Sequence, residues 1–418
     1  MLNIIQAFQR QKDIYIKGIS GWRSPIPFNS NKLRQKAQKF MSETTWAYID
    51  GGAGDEATIA RNRSAFDQIT IAPRFMRDNT DADFSTEIFG TKLHSPFLLA
   101  PIGALDMVCK DADIHIAKAC AATDTPYVFS NQGGNSMEAC SAAMGHTDRW
   151  FQLYWSKSDE LVLSLVKRAE ASGCKAIVLT VDTTMLGWRA RDLSLSYLPF
   201  LKGYGIGQYT SDPVFNQYVK NGWHPEEAVA VKPVITFETI KHIFELKSNF
   251  KGSLKDAMAS VQLFTRIYTN PALNWEQVTW LKSKTSLPVL IKGILHPEDA
   301  VLAQKAGADG IIVSNHGGRQ VNGAISTIEM LPQIRKVVPQ PFKVLLDSGI
   351  RNGSDVFKAM ALGADAVLLG RPYAYGLAID RQSGVETVIR NIQNDFELTS
   401  RLSGCRNLQE ITSECLTS

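Results

Sequence analysis

A (β/α)8 barrel is the fold this sequence predicts, and three observations point to it. Eight short apolar runs recur along the chain, nearly free of polar alternation, as strands buried on both faces must be. Helical patterns lie between most of them. A faint internal repeat, RAEASGCKAIVLT, LAQKAGADGIIVS and KAMALGADAVLLG, shares one grammar of helix end, glycine, small polar linker and buried strand. A doubly wound open α/β sheet is the alternative that the same alternation allows.

The strands read in order as PFLLAP (96–101), PYVFS (126–130), WFQLY (150–154) and AIVLTVD (176–182), then LPVLIKG (287–293), GIIVSN (310–315), FKVLLDSG (342–349) and AVLLGRP (366–372). The helical patterns are DADIHIAKACAATD, DELVLSLVKRAEASG, PEDAVLAQKAGAD and SDVFKAMALGAD. Pro297 suits a first helical turn and Ser354 an N-cap, while Gly173, Gly307 and Gly363 suit helix C-termini. Two segments break the rhythm. Residues 1–95 form an N-terminal helical extension of mixed charge. Residues from about 186 to 275 part the fourth strand from the fifth, far beyond ordinary loop length. This insertion is rich in Gly, Pro, Tyr and Phe (SYLPFLKGYGIGQYTSDPVF) and is expected to serve as a lid or a subunit contact. The barrel then spans 96–405, and 406–418 form a C-terminal tail.

Composition narrows the class. Of 418 residues, 44% are hydrophobic and 21% charged, as in ordinary soluble globular proteins. A net charge of +4, spread along the chain, favours neither a nucleic-acid nor a membrane partner. The six cysteines form no CxxC pair and no cluster with histidines, so no metal site is expected, only buried thiols in a reducing compartment. The N-terminus lacks the apolar core of a secretion signal and no apolar run approaches membrane-spanning length, so the expected location is cytoplasmic.

In such a barrel, chemistry belongs at the C-terminal strand ends. Polar residues gather there: Ser130, Gln152 with Tyr154, Thr180 with Asp182, Lys292, Ser314 with His316, Asp347 and Arg371. A complete ring implies a large polar ligand standing over the barrel mouth. The last two strands add a phosphate signal, because LLDSGIRNGSD and LLGRP combine glycines, arginines and a helix start. The stretch IIVSNHGGRQ delivers His316 just past a strand end as a candidate acid or base. Asp182 could orient its imidazole. Arg189 and Arg319 offer two forks for a carboxylate. Lys292 ends an apolar strand, where its ammonium needs an anion. Each residue alone also has a plain structural reading, and a barrel aldolase or isomerase, or a non-catalytic binding barrel, fits the phosphate signal too.

SNHGGRQ (314–320) resembles the signature motif of the FMN-dependent α-hydroxy-acid oxidases and dehydrogenases. The resemblance extends through YIDGGAGDEATIARNRSAF (48–66), LLAPIG (98–103), FQLY (151–154), LTVDT (179–183), LIKGI (290–294), LDSGIRNGSDVFKA (346–359) and GRP (370–372). It implies FMN as cofactor, a small, lactate-like L-2-hydroxy acid as substrate, O2 as acceptor and a homotetramer or higher oligomer. A quinone or other acceptor, or a glycolate-type substrate, is the alternative within the family. By the same resemblance His316 is the base and Asp182 its partner, Arg189 and Arg319 hold the carboxylate, and Tyr48 and Tyr154 bond the substrate. FMN would meet Pro101, Ile102, Gly103, Ser130, Gln152, Thr180, Lys292, Ser314, Asp347, Ser348, Gly349, Ile350, Arg351, Gly370 and Arg371. Lys292 would face the flavin N1 and C2 carbonyl and stabilise the reduced anion. GWRARDL, LPFLKGYG and YTSDPVF are similar to the long insertion of the lactate 2-monooxygenase branch, which implies oxidative decarboxylation of a retained product. Gly103 stands where many family oxidases carry alanine, Gln132 where glycolate oxidases carry tryptophan, and Ser348 where plant members carry glycine.

Overall fold

Eight parallel strands close into a barrel in the computed structural model, which describes residues 6–78, 80–223, 237–250 and 252–417. The strands are β1 (Phe97–Leu99), β2 (Tyr127–Phe129), β3 (Arg149–Leu153), β4 (Ile177–Thr180), β5 (Val289–Ile294), β6 (Gly310–Val313), β7 (Lys343–Leu346) and β8 (Ala366–Leu369). Pairing runs round from β1 to β8, and β8 returns to β1 through Val367↔Phe97, Leu368↔Leu98 and Leu369↔Leu99. An open sheet would leave β1 and β8 as edges; here both are paired. Each strand coincides with one of the apolar runs.

Period two divides every strand between two layers. Leu98, Val128, Trp150, Val178, Leu290, Ile312, Leu345 and Leu368 fill the barrel interior. Their neighbours, among them Leu99, Phe129, Phe151, Leu179, Ile291, Ile311, Leu346 and Leu369, join the outer core beneath the helices. Two residues beyond each interior position stand Ala100, Ser130, Gln152, Thr180, Lys292, Ser314, Asp347 and Gly370. Six of these eight, Ser130, Gln152, Thr180, Lys292, Ser314 and Asp347, belong to the polar ring of the sequence, while Tyr154, Asp182, His316 and Arg371 lie one or two residues beyond this layer.

Helices follow the expected pattern, and three of them close on glycines in the left-handed region: Gly173 (φ 73°), Gly307 (φ 89°) and Gly363 (φ 101°). Pro297 opens its helix as predicted. Ser354 does not cap its helix. Asn352 does, accepting from the Asp355 N–H at 2.9 Å, and Ser354 donates to that same Asn352 oxygen. Gly353 lies flush against the backbone of Phe396, where even a Cβ would find no room, and the helix starts there, two residues earlier than a Ser354 cap would give.

The first part of the chain holds helices Gln6–Ile19, Ser30–Gln38, Glu43–Asp50 and Ala57–Gln68, and it is not all helical. A hairpin, Thr86–Ile88 against Thr91–Leu93, turns Ile88 and Leu93 into the interior cluster and so packs against the N-terminal side of the barrel core. Trp150 Nε1 donates to Thr91 Oγ1 at 2.8 Å. Three-residue strands reading TEI and TKL are too short to show a period, which is why the sequence reads as helical there. Between β4 and β5, the described residues of the insertion form helices that include Pro213–Asn221, Phe237–Asn249 and Leu254–Ile267. Part of the expected lid, 224–236, lies outside the described residues.

Candidate active site

A cleft of about 110 Å3 lies over the C-terminal ends of the strands. One wall comes from the chain before the barrel. Ser42 caps helix Glu43–Asp50 by accepting from the Thr45 N–H at 3.1 Å, and the helix points Tyr48 and Ile49 into the cleft. The glycines after it let the backbone cross onto SNHGGRQ. Ala53 N–H donates to the Gly318 carbonyl at 2.9 Å, and Gly54 N–H to that of Trp188 at 2.7 Å. A Cβ on Gly52 would sit 2.8 Å from the Gly318 carbonyl oxygen, so a larger residue would push the two motifs apart. Asn62 and Asn315 lock them with reciprocal amide bonds of 2.8 and 2.7 Å.

His316 lies beyond β6 with φ 55°, a left-handed conformation uncommon for a residue with a side chain. Its Nδ1 is 2.7 Å from Asp182 Oδ1, and Thr183 Oγ1 is 3.2 Å from the same nitrogen. Nε2 has no partner among the described residues, and the imidazole lines the cleft. Burial disfavours the imidazolium, with Lys292 and Arg189 adding to the effect, and these outweigh Asp182; the pKa of His316 lies below its ordinary value. Burial alone would raise Asp182, yet the charges of His316 and Lys292 hold its pKa below the usual carboxylate value. The free protein therefore presents a neutral imidazole whose Nδ1–H faces a carboxylate.

Two guanidiniums flank the same space. Arg319 lies 4.7 Å and Arg189 5.8 Å from the centre of the Tyr48 ring. Arg319 donates to the carbonyls of Tyr48 and Gly51, while Arg189 donates to the Arg319 carbonyl and to Gln320. Neither has a carboxylate partner in the described residues. Burial pushes the pKa of Arg319 down to about 9, with Arg189 adding repulsion. A guanidinium keeps its proton even so, and the cost is relieved when an anion enters between the forks. Tyr154 lines the cleft, and burial raises the pKa of its hydroxyl, which stays protonated as a donor.

Lys292 finds its anion within the protein: Nζ is 3.0 Å from Asp347 Oδ2 and 2.9 Å from Ser314 Oγ. Burial would depress it, but Asp347 and Asp182 leave its pKa raised. Ser348 holds φ 70° at the position where glycine would be easier, and its hydroxyl repays that by accepting from Gly317 N–H at 2.9 Å and donating to Asp347 at 2.8 Å. Pro101, Ile102, Gly103, Lys292, Asp347, Ser348, Gly349, Ile350, Arg351, Gly370 and Arg371 line the cleft; Ser130, Gln152, Thr180 and Ser314 do not. Gln152 Nε2 and Thr180 Oγ1 are nevertheless buried with no hydrogen-bond partner among the described residues, which fits a polar ring system that would satisfy them. Arg351 donates to the Ile350 carbonyl, and burial pulls its pKa down to about 10, a cation awaiting an anion. The residues present thus fit FMN: Gln152 and Thr180 would meet polar atoms of its ring, and Arg351 with the glycines beside it would meet its phosphate.

Several residues of the cleft are absent from the sequence-based set: Ile49, Thr183, Leu186 and Phe200. Gln320 is absent from that set too; it does not line the cleft but donates to the carbonyls of Asp182 and Met185, tying the β4 and β6 loops together. Gln320 stands within the signature motif, a signal that could have found it; Leu186 and Phe200 lie in an insertion with no strand rhythm. Among the described residues no cluster of His, Cys, Asp or Glu could hold a metal ion, and no helix is long and apolar enough to cross a membrane.

A profile of the FMN-dependent dehydrogenase family matches residues 37–418. The chain is 39% identical over 397 residues to an L-lactate oxidase of Lysinibacillus sphaericus, covering 95% of this chain and 94% of that protein. It is 36% identical over 384 residues to a glycolate oxidase of Spinacia oleracea, covering 92% and 94%. The crystal structure of a mandelate oxidase superposes with a TM-score of 0.75 at 32% identity, covering 94% of this chain and 98% of that one.

Proposed function

The chain belongs to the FMN-dependent dehydrogenase family, and from that membership we propose that it oxidises a small L-2-hydroxy acid to the 2-keto acid and passes the electrons to oxygen. The observation that carries this reading is the pair of His316 and Asp182, 2.7 Å apart, opening onto the same cleft as Arg189 and Arg319. When bound, FMN supplies the two-electron acceptor. The substrate carboxylate sits between the two arginine forks, which lowers their mutual repulsion. Tyr48 and Tyr154 orient its hydroxyl. His316 Nε2 takes a proton from the substrate, and Asp182 stabilises the imidazolium that results. Lys292, held by Asp347 and Ser314, would supply a fixed positive charge to stabilise a reduced, anionic flavin.

A second reading, in which the keto acid is retained and oxidatively decarboxylated, draws support from one observation. The residues after β4 lend Leu186, Arg189 and Phe200 to the cleft wall, where they would slow the escape of a bound product. One experiment addresses both. Anaerobic mixing with L-lactate should bleach the bound flavin, and air should restore it. Pyruvate and peroxide in equal amounts, measured with and without catalase, mark simple oxidation; acetate in the presence of catalase marks coupled decarboxylation. A flavin that stays yellow with every small 2-hydroxy acid overturns the proposal.

A further inference from the structure

Gln132 follows β2 and is buried, yet its side-chain amide makes no hydrogen bond to any described residue. Its backbone is fixed at both ends: the N–H donates to Ser130 Oγ at 3.1 Å, and the carbonyl accepts from Ala104 N–H at 2.8 Å. With the backbone held, the side chain lies in the wall of the cleft that also contains Tyr154, Phe200 and Leu186. Gly103 is what gives it room. A Cβ there would lie 2.9 Å from Gln132 Cβ and 3.1 Å from Oε1. The amide is therefore seated in a notch, open to the cleft, with one donor group and one acceptor uncommitted.

We infer that Gln132 selects among 2-hydroxy acids, favouring those whose side chain ends in a neutral hydrogen-bonding group over those ending in a methyl. This rests on the 2-hydroxy-acid reading above. A buried amide facing an apolar ligand loses its water and gains nothing, whereas a hydroxyl on the ligand restores a bond. A second carboxylate is disfavoured for another reason. The carboxyl side chains packed against the turn after Gln132 offer such a group no counter-charge: Asp106 lies against Gly134 and accepts from Gly205 N–H at 3.2 Å, and Asp113 accepts from Gly134 N–H at 2.8 Å. Arg189 and Arg319 are already assigned to the first carboxylate.

The test uses two acids of the same shape, L-2,3-dihydroxypropanoate and L-2-hydroxybutanoate, which differ by a hydroxyl in place of a methyl. With the flavin-loaded protein, kcat/KM should favour the dihydroxy acid by about tenfold, the weight of one hydrogen bond. Gln132→Met, similar in length and apolar, should bring the ratio to one or below, with L-lactate turnover as the common reference. A wild-type ratio at or below one overturns the inference, as does a ratio that Gln132→Met leaves unmoved. Should the variant fail to fold, the wild-type ratio alone decides. If L-lactate and both acids all leave the flavin oxidised under anaerobic conditions, the proposed function itself falls and takes this inference with it. Turnover of L-lactate without the preference defeats the inference alone.

Discussion

His316 is a residue whose position costs something, since a side chain at φ 55° is strained. Its replacement isolates the chemistry. His316→Ala should fold, retain flavin and reduce it on the order of 10²–10⁴-fold more slowly, as measured by stopped-flow bleaching with L-lactate; bleaching at the normal rate would remove His316 from its role. The pH dependence has a definite sign. Burial holds the pKa of His316 below 6.5, so the neutral base persists at pH values where a free histidine is already charged. The acid limb of kcat/KM should therefore fall below pH 6.5. Asp182→Asn removes a carboxylate that raises this pKa, so the limb should move lower still while the plateau rate drops. His316, Arg319 and Asp182 were legible because each lies within a few residues of a strand end. The roles of Thr183 and Gln320 were not, even though Gln320 stands inside the signature motif, because those roles are contacts between the β4 and β6 loops, which lie over 130 residues apart.

The elements after β7 and β8 offer two arginines that the sequence treats alike and the structure separates. Arg371 donates to the carbonyls of Ile49, Gly317 and Gly51, at 3.2, 2.8 and 2.9 Å, so it fastens the N-terminal segment to the barrel. Arg351 makes one such bond, to Ile350. Arg351→Met should weaken flavin retention on dialysis while leaving the melting temperature of the apoprotein within a few degrees. Arg371→Met should lower both, since three carbonyls lose their donor. Helix Ala112–Thr123 carries a pH-sensitive joint. Its Asp113 accepts from Gly134 and Asn135 N–H at 2.8 and 3.1 Å, and burial pushes its pKa up from 3.8 to about 6. Across that window the native state holds a proton that the unfolded chain has released. Stability therefore falls as pH rises from about 4 to about 6, by on the order of 2–3 kcal/mol. Urea midpoints of Asp113→Asn should show a correspondingly flatter profile than the wild type over this range, the contribution of His316 being common to both. The strands were legible because burial on both faces leaves an unbroken apolar run. The hairpin at Thr86–Leu93 was not, because three residues a side carry no period.

At the scale of the whole molecule, the barrel is a packed core whose two ends are finished differently. Ile88 and Leu93 of the hairpin join the interior cluster at one end, while polar residues form the last interior layer at the other. Leu93→Ala should cost about 2–5 kcal/mol in denaturant unfolding with little change in flavin binding, because the cavity opens away from the cleft. The sequence alone determined the eight strands, their order, and the polar ring, since a period of two and an apolar run are local properties of the chain. It also determined the FMN-dependent class, through motifs that remain contiguous. Only the tertiary structure decided what stands over the ring. Tyr48 and Ile49 arrive from before the barrel, and Leu186, Arg189 and Phe200 from beyond β4, to share one cleft with His316. The same holds for the pairing of Lys292 with Asp347 and the unbonded amide of Gln132. These are distances between segments far apart in the chain, set by barrel closure and by glycines such as Gly52 and Gly103 that let backbones and side chains approach; no local pattern encodes them.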